Sequence, residues 1–493
     1  TLRDYEIEII NDELIITDEN TNIFAYNFKN KESNRVQKTL FHEKQTIIES
    51  CLFGVDINPN SVKICRLRLW IELLKNAYYK TPSTIGKGLG EAELETLPNI
   101  DINIKCGNSL LSRFPLDADL SKALKSIKYD VQAYRGFVSD YKSEKSREVK
   151  RGLQQIIDSI KNDFRTEIYN NDPKLKRLKN LQTEYYKYFE STMFGNLKTQ
   201  EKDLYKTKEN YKKAQQKKEK IEAEINKLST EIEVIKSNAI YKNAFEWRFE
   251  FPEVLSNNGE FDGFDVVIGN PPYINAMDLK KSIPEAAYKT LKQNYETAKG
   301  TVDLFIYFFE RGLKILKKEG QLNFITPNRY LSASYGEALR EFLYNKTKIN
   351  EIIDYSHVRV FKEASTYPVV TSLRFSKSFD NTYPITIGKY DDESSKINFK
   401  YVDSEKLNFL EGFIWGYLLN DKMAITEKVI NSSVSITQCA LINATSTASE
   451  ADEYHNLINE SKGFKLINTG TIDKYESLWG IETLTDKGSK YLK

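Results

Sequence analysis

The stretch FDVVIGNPPYI, Phe264 to Ile274, decides how this chain is read. Val266, Val267 and Ile268 follow one another behind Asp265, a short β-branched run of the kind found in a central parallel strand covered on both faces. The strand has to stop at Asn270. Pro271 and Pro272 have no N–H to give a neighbouring strand, their φ is held at about −65°, and the residue before them is pushed toward an extended conformation. An amide side chain therefore stands on a rigid turn at the carboxyl end of a strand, where open α/β sheets bind their ligands.

Working outward, the segment 51–115 alternates in the same way: CLFGVDI reads as a strand, NSVKICRLRLWIELLKNAYY as an amphipathic helix and IDINIKCGN as a second strand. Downstream of the quoted stretch come the helix-like TVDLFIYFFERGLKILKK, the strand-like GQLNFITP, a helix around GEALREFLY and the strand INEIIDY. Alternation of this kind predicts an α/β fold built on a parallel sheet. Between the two halves the composition turns to Lys, Glu, Gln and Leu, broken mainly at NNDP, Asn170 to Pro173. Ile221, Ile225, Leu228, Ile232 and Ile235 form one apolar seam there, and Val149, Leu153, Ile156, Ile160 and Phe164 form another, which predicts an antiparallel, coiled-coil-like helical hairpin inserted into the sheet domain. Its mixed charges suit a solvated hairpin better than a DNA contact, although both readings stay open. The expected divisions are 1–116 and 245–432 for the two parts of the α/β domain, 117–244 for the insertion and 433–493 for the beginning of a separate C-terminal module.

Composition narrows the classes. Across 493 residues, 72 Lys and Arg face 70 Asp and Glu, so net charge gives no argument for nucleic acid, and any basic surface must be local. Cys51, Cys65, Cys106 and Cys439 contain no close pair, and His42, His357 and His455 are scattered, so no metal site is expected and a reduced, cytosolic setting fits. No apolar run reaches the roughly 18 residues of a membrane span, and no membrane association is expected.

Three polar residues end three predicted strands: Asp56, Asn108 and Asn270. On a parallel sheet their side chains should converge on one crevice. Asp56 and Asn108 could each simply cap the helix that follows. Asp56 has a second reading, because an acid ending the second strand of a nucleotide-binding half accepts hydrogen bonds from both ribose hydroxyls, which implies a nucleoside-bearing cofactor. Asn270 and Pro271 then suggest the reaction. An exocyclic amine is a poor nucleophile while its lone pair is delocalised into the ring, and the Asn270 amide oxygen and Pro271 carbonyl can both accept from it and draw it toward tetrahedral geometry. Pro272 keeps those acceptors rigid, and Tyr273 offers a ring face for stacking on the base.

NPPY at Asn270 to Tyr273 resembles the catalytic motif of amino-methyltransferases that use S-adenosylmethionine, and the wider match is to gamma-class N6-adenine DNA methyltransferases of the type IIG restriction-modification kind. FGVDINPNSVKICRLRLW resembles the acidic cofactor motif of that family, IKCGNSLL its adenine-holding motif, and FEWRFEFPEVL, TVDLFIYFFERGL and NFITPNRYL its neighbouring motifs. The resemblance spans roughly 41–375 and implies a Rossmann-like methyltransferase acting on double-stranded DNA, with a C-terminal target-recognition module. By the same resemblance Asp56, Ile57, Asn108, Ser109 and Leu110 would hold S-adenosylmethionine, and Asn270, Pro271, Pro272 and Tyr273 would receive a flipped adenine. RVFKEASTYPVVTSLRF matches the region carrying a second aromatic, which assigns Phe361 to the other face of the base, with core packing as the rival reading of that residue.

Two departures stand out. The family's glycine-rich Asp-Pro-Ala-x-Gly-Ser-Gly motif is absent ahead of position 51, so the chain is expected to be part of a longer polypeptide that supplies it, along with a nuclease. Asn108 also stands where many relatives have Asp and so brings no charge. A methyltransferase for RNA or protein glutamine, and a non-catalytic scaffold or DNA-binding fragment, remain open alternatives.

Overall fold

The computed structural model describes residues 4–10, 13–80, 94–95, 99–117, 128–171, 173–186, 208–236, 243–361, 367–376 and 382–440, with a few short strands between 458 and 492. The chain divides into two units, Thr1–Asn420 and Asp421–Lys493. Among the described residues no helix is long and apolar enough to cross a membrane.

The first unit begins with an antiparallel hairpin of β1 (Tyr5–Ile10) and β2 (Glu13–Asp18). Through Ile16 it packs on Val36 and Leu40 of α1 (Lys31–Ser50). The Asn30 side chain starts that helix by accepting from the N–H groups of Glu32 and Ser33. Next come β3 (Gly54–Asp56), α2 (Pro59–Leu74) and β4 (Ile104–Cys106), with β3 and β4 paired in parallel.

The inserted segment contains α3 (Val131–Ser143), α4 (Arg147–Asn171), α5 (Pro173–Tyr185) and α6 (Lys208–Lys236). The two predicted seams do not pair with each other. Ile157, Ile160 and Phe164 of α4 are buried with Tyr134 and Val138 of α3 against Ile102, Phe249 and Leu255 of the body. The α6 seam meets α5 instead, through Leu175, Leu178, Ile225, Leu228 and Ile232; the side chain of Ile235 lies outside the described residues. The reason is the body itself, whose Phe249 and Leu255, each buried to 1% exposure under α3 and α4, offer α4 more apolar area than a second charged helix could.

The remaining elements of the unit are β5 (Phe264–Gly269), α7 (Ala276–Ser282), α8 (Glu285–Asn294), α9 (Leu304–Lys314), β6 (Leu316–Pro327), α10 (Glu337–Lys346), β7 (Thr347–Asp354), β8 (Pro368–Phe375), β9 (Pro384–Asp391) and β10 (Lys396–Asp403). They form a six-stranded sheet in the order β10-β9-β7-β8-β6-β5. The sheet is mixed rather than parallel, because β8 starts at the same edge where β7 ends and returns antiparallel between β6 and β7.

The expected continuous sheet is also corrected, since β3 and β4 form a separate two-stranded sheet. β5 is an edge strand, not a central one, with Val266 57% and Ile268 82% exposed. What joins the two sheets is side-chain packing. Phe53, just before β3, lies 5.7 Å from the Phe264 ring, and both belong to an aromatic cluster around Trp247 and Phe251.

In the second unit α11 (Met423–Ser432) has no buried residue. Beyond it Ile458–Asn459 and Phe464–Leu466 each pair antiparallel with Lys490–Leu492, and Ile472–Asp473 pairs with Glu476–Ser477.

Candidate active site

Asp56 ends β3 directly opposite Cys106 on β4, and its backbone carbonyl accepts from Gly107 at 2.9 Å. The ladder therefore sets Asp56 beside Asn108. Asp56 does not cap the helix. Its Oδ1 accepts the Asn58 N–H at 2.6 Å, while Asn58 is the residue that caps α2, taking the Asn60 N–H at 2.9 Å. Asp56 is exposed and has its second carboxylate oxygen available, and Ile57 next to it is 59% exposed, an apolar surface beside an acceptor.

Asn108 is partly buried, and its Oδ1 accepts from Leu110 N–H at 3.1 Å. The insertion returns at this point: Asn108 N–H donates to Asn243 and Phe245 N–H donates back to Asn108, at 2.5 and 3.1 Å. The loop is then held by groups that the sequence reading did not single out. Trp247 Nε1 donates to the Ser109 carbonyl at 3.1 Å, and the Leu110 carbonyl accepts from Tyr295 Oη at 2.7 Å and from Arg311 at 3.1 Å. Arg311 also donates to Tyr295 Oη at 2.9 Å, so the two act as one clasp. Burial pushes the Tyr295 hydroxyl up to about 12, which keeps it a proton donor. Nothing in the local sequence marks this pairing, because its partners lie almost two hundred positions from Leu110.

Asn270 is exposed at the end of β5, Pro271 is buried and Pro272 exposed. A Cβ on Gly269 would come within 3.0 Å of the Phe324 ring, so glycine lets β5 approach β6 closely just before the turn. The segment after NPPY is pinned to the start of α9: Asp303 accepts from Ala276 N–H at 3.1 Å, and Leu304 N–H donates to Ile274 at 2.9 Å. Buried Glu310 fixes the approach to that helix by accepting from the Glu296 and Thr297 N–H groups and the Thr297 hydroxyl.

The two aromatics singled out in the sequence do meet. Tyr273 and Phe361 stand with ring centroids 6.0 Å apart at 74°, edge to face, and Tyr273 Oη reaches the Ile325 carbonyl at 3.4 Å. Burial raises the Tyr273 hydroxyl to about 12. The structure thus brings together two groups, Asp56 with Asn108 and Asn270 with Tyr273 and Phe361. Among the described residues no hydrogen bond links one group to the other; β3 and β5, which carry Asp56 and Asn270, meet through the Phe53–Phe264 cluster, and the Tyr295–Arg311 clasp ties the Leu110 loop to α9.

Parts of the chain are similar to known proteins. The model of the Eco57I restriction-modification methylase family matches residues 50–361, well over half of the chain. A protein of Methanocaldococcus jannaschii, provisionally named a type II restriction enzyme and methyltransferase, is 26% identical over 65% of this chain and 25% of its own length. The type II restriction enzyme and methyltransferase Eco57I of Escherichia coli is 32% identical over 24% of this chain and 12% of its own length. The chain thus spans a quarter or less of these relatives. A solved structure, the type IIG restriction endonuclease BpuSI, is 18% identical over 38% of this chain and 26% of its own, with a TM-score of 0.26. The family match runs from β3 to Phe361 and takes in the Asp56, Asn108 and NPPY segments alike, so this chain belongs to the Eco57I restriction-modification methylase family.

Proposed function

We propose that the chain is the methyl-transferring part of a type IIG restriction-modification enzyme that methylates N6 of an adenine flipped out of double-stranded DNA. The observation that carries this reading is NPPY at the carboxyl end of β5 with Tyr273 against Phe361. Exposed Asn270 offers an amide oxygen, and the Pro271 carbonyl lies beside it on a backbone the prolines hold still. Both accept from the adenine amine as it becomes tetrahedral, which favours the transition state over the ground state. The rings of Tyr273 and Phe361 would take the two faces of the base.

S-adenosylmethionine would supply the methyl group. The residues present suit its adenosine half: Asp56 has a carboxylate oxygen left for the ribose hydroxyls, Ile57 gives an apolar surface, and Asn108, Ser109 and Leu110 form a braced loop beside them. Transfer would be direct, the amine nitrogen taking the methyl group as its bond to the cofactor sulfur breaks and the amine then losing a proton to solvent, with no covalent enzyme intermediate. The rest of a longer polypeptide would bring the glycine-rich motif, the nuclease and the remainder of the recognition module. The uncovered face of β5 supports this, since Val266 and Ile268 share one face of the strand and are left apolar and exposed for a further element to cover.

Methylation-sensitive sequencing of DNA from cells expressing the full-length protein tests the reading. We expect N6-methyladenine at one sequence context with the wild type and none with Asn270→Ala. Methylation of cytosine, or of no DNA at all, would refute it.

A further inference from the structure

At the carboxyl edge of β6 and β7 lies an open cleft of about 660 Å³. Asn328 and Arg329 enter it from the end of β6, Asp354, Ser356 and His357 from the end of β7, and Gly416 with its neighbours closes the third side. That side is built to stay in place. Trp415 is fully buried, its N–H donates to the Leu331 carbonyl at 2.8 Å, and Gly416 has no room for a side chain against Ser332. β6 and β7 are separated by β8, so the opening spans two strand spacings, about 10 Å, enough for one nucleoside but not for a duplex.

The floor is pre-arranged. Asn328 Nδ2 donates to Ser356 Oγ at 2.9 Å, and Ser356 N–H donates to Asp354 Oδ1 at 2.9 Å. These bonds use the amide's donor and one carboxylate oxygen, leaving the Asn328 carbonyl oxygen and Asp354 Oδ2 as acceptors. Asp354 is only 7% exposed, so its remaining oxygen gains most from an N–H partner. The rim is different, with Arg329 and His357 both exposed. Among the described residues no salt bridge engages Arg329. Asn328 N–H donates to the Tyr367 carbonyl at 2.8 Å, which ties the cleft to the segment that follows Phe361.

A simple anion would meet a buried carboxylate here, and an uncharged amine would leave the Arg329 guanidinium at the rim unmet. The cleft suits a ligand with negative charge at one end and N–H donors at the other. We propose that it is a second nucleic-acid subsite, taking one nucleotide next to the target in the DNA, with its phosphate at Arg329 and His357 and the exocyclic amine of its base at Asp354. This rests on the DNA reading above. A carboxylate accepts from the amine of cytosine but has nothing to accept from thymine at that position.

Cytosine and thymine tracts therefore test the subsite without involving the adenine pocket. Binding of fluorescein-labelled dC20 and dT20 by the full-length protein is followed by anisotropy over a range of salt, with S-adenosylmethionine affinity measured in parallel. The wild type should favour dC20 by about fivefold or more. Asp354→Asn should level the two, and Arg329→Ala should weaken both and lower the salt slope by about 0.7. Equal binding of dC20 and dT20 by the wild type, or an unchanged salt slope in Arg329→Ala, would overturn the subsite while leaving the DNA reading in place. If the wild type binds neither strand although it binds S-adenosylmethionine, the subsite falls, and the DNA reading falls with it only if labelled duplex DNA is not bound either. Arg329 is exposed, so its variant tests the proposal even if Asp354→Asn fails to fold.

Discussion

At the scale of single residues, the proposed chemistry would depend on acceptors that cannot move. Asn270 follows a strand and precedes two prolines, so its amide oxygen is set by backbone geometry. In the full-length protein, Asn270→Ala should lower the methyl-transfer rate at least tenfold with DNA affinity nearly unchanged, each tenfold being about 1.4 kcal/mol of transition-state stabilisation. Single-turnover transfer of a tritiated methyl group measures it, and retention of more than a tenth of the rate would argue against the role. Tyr273 and Phe361 pose a steric question, because rings already in edge contact at 6.0 Å leave no slot for a base. The pair must open to receive one. Stacking is worth roughly 1–3 kcal/mol per base, so Phe361→Ala should disfavour the flipped state, and a mismatch opposite the target should rescue the variant more than it speeds the wild type. A 2-aminopurine at the target position reports the same step by its fluorescence. If signal and mismatch dependence stay unchanged while Tm falls, Phe361 is a packing residue only.

Among the elements, one buried carboxylate, Glu250, gathers three cations of β4 and α4, alongside the Lys142–Glu253 pair and the Tyr134 Oη bond to the Phe249 carbonyl that also hold the insertion. Glu250 accepts from Lys105 of β4 at 2.9 Å and from Lys161 of α4 at 2.7 Å, with Arg165 at 3.4 Å. Burial alone would raise its pKa, but Lys105 and Lys161 outweigh that and hold it at about 2. One carboxylate draws on three cations, whereas Lys105 has only a share of one anion, and burial pushes it down to about 8. The signs follow from linkage. Glu250 contributes stability that is present above about 4.5 and lost as pH falls toward about 2, on the order of 3 kcal/mol in all. Lys105 acts at the other end, where stability should rise with pH between about 8 and 10.5. Hydrogen exchange should therefore show α4 losing protection between pH 4.5 and 2 ahead of the β6–β8 core. Glu250→Gln leaves two lysines buried without a counter-charge and should cost about 3–5 kcal/mol in urea unfolding. A change under 1 kcal/mol would mean that the Glu250 cluster adds little to the apolar packing on Phe249 and the other polar contacts, such as Lys142 with Glu253, that hold the insertion.

For the molecule as a whole, the open edge of β5 is the dominant feature. Ile64, Leu67, Ile71 and Leu74 line an exposed stripe on α2 at helical spacing, and Val266 and Ile268 are exposed on β5. Such surface favours association. By itself the chain of 493 residues should therefore self-associate in sedimentation runs, and Val266→Lys with Ile268→Lys should reduce it. It should also bind S-adenosylmethionine poorly in calorimetry, since in the proposed reading Asp56 and Asn108 would serve only the adenosine half. Affinity in the micromolar range would show that the cofactor site is complete within this chain.

What the amino-acid order determined alone was local. It set the strand that stops at Pro271, the turn at Asp56 and the helical composition of the insertion, because each depends on neighbours a few positions apart. Tertiary structure decided the rest: that β5 is an edge, that β3 and β4 stand in their own sheet, that α4 packs on the body instead of on α6, and that Tyr295 and Arg311 brace Leu110. Those outcomes depend on which distant surfaces bury the most apolar area and satisfy the most buried polar groups. No short stretch of sequence carries that information.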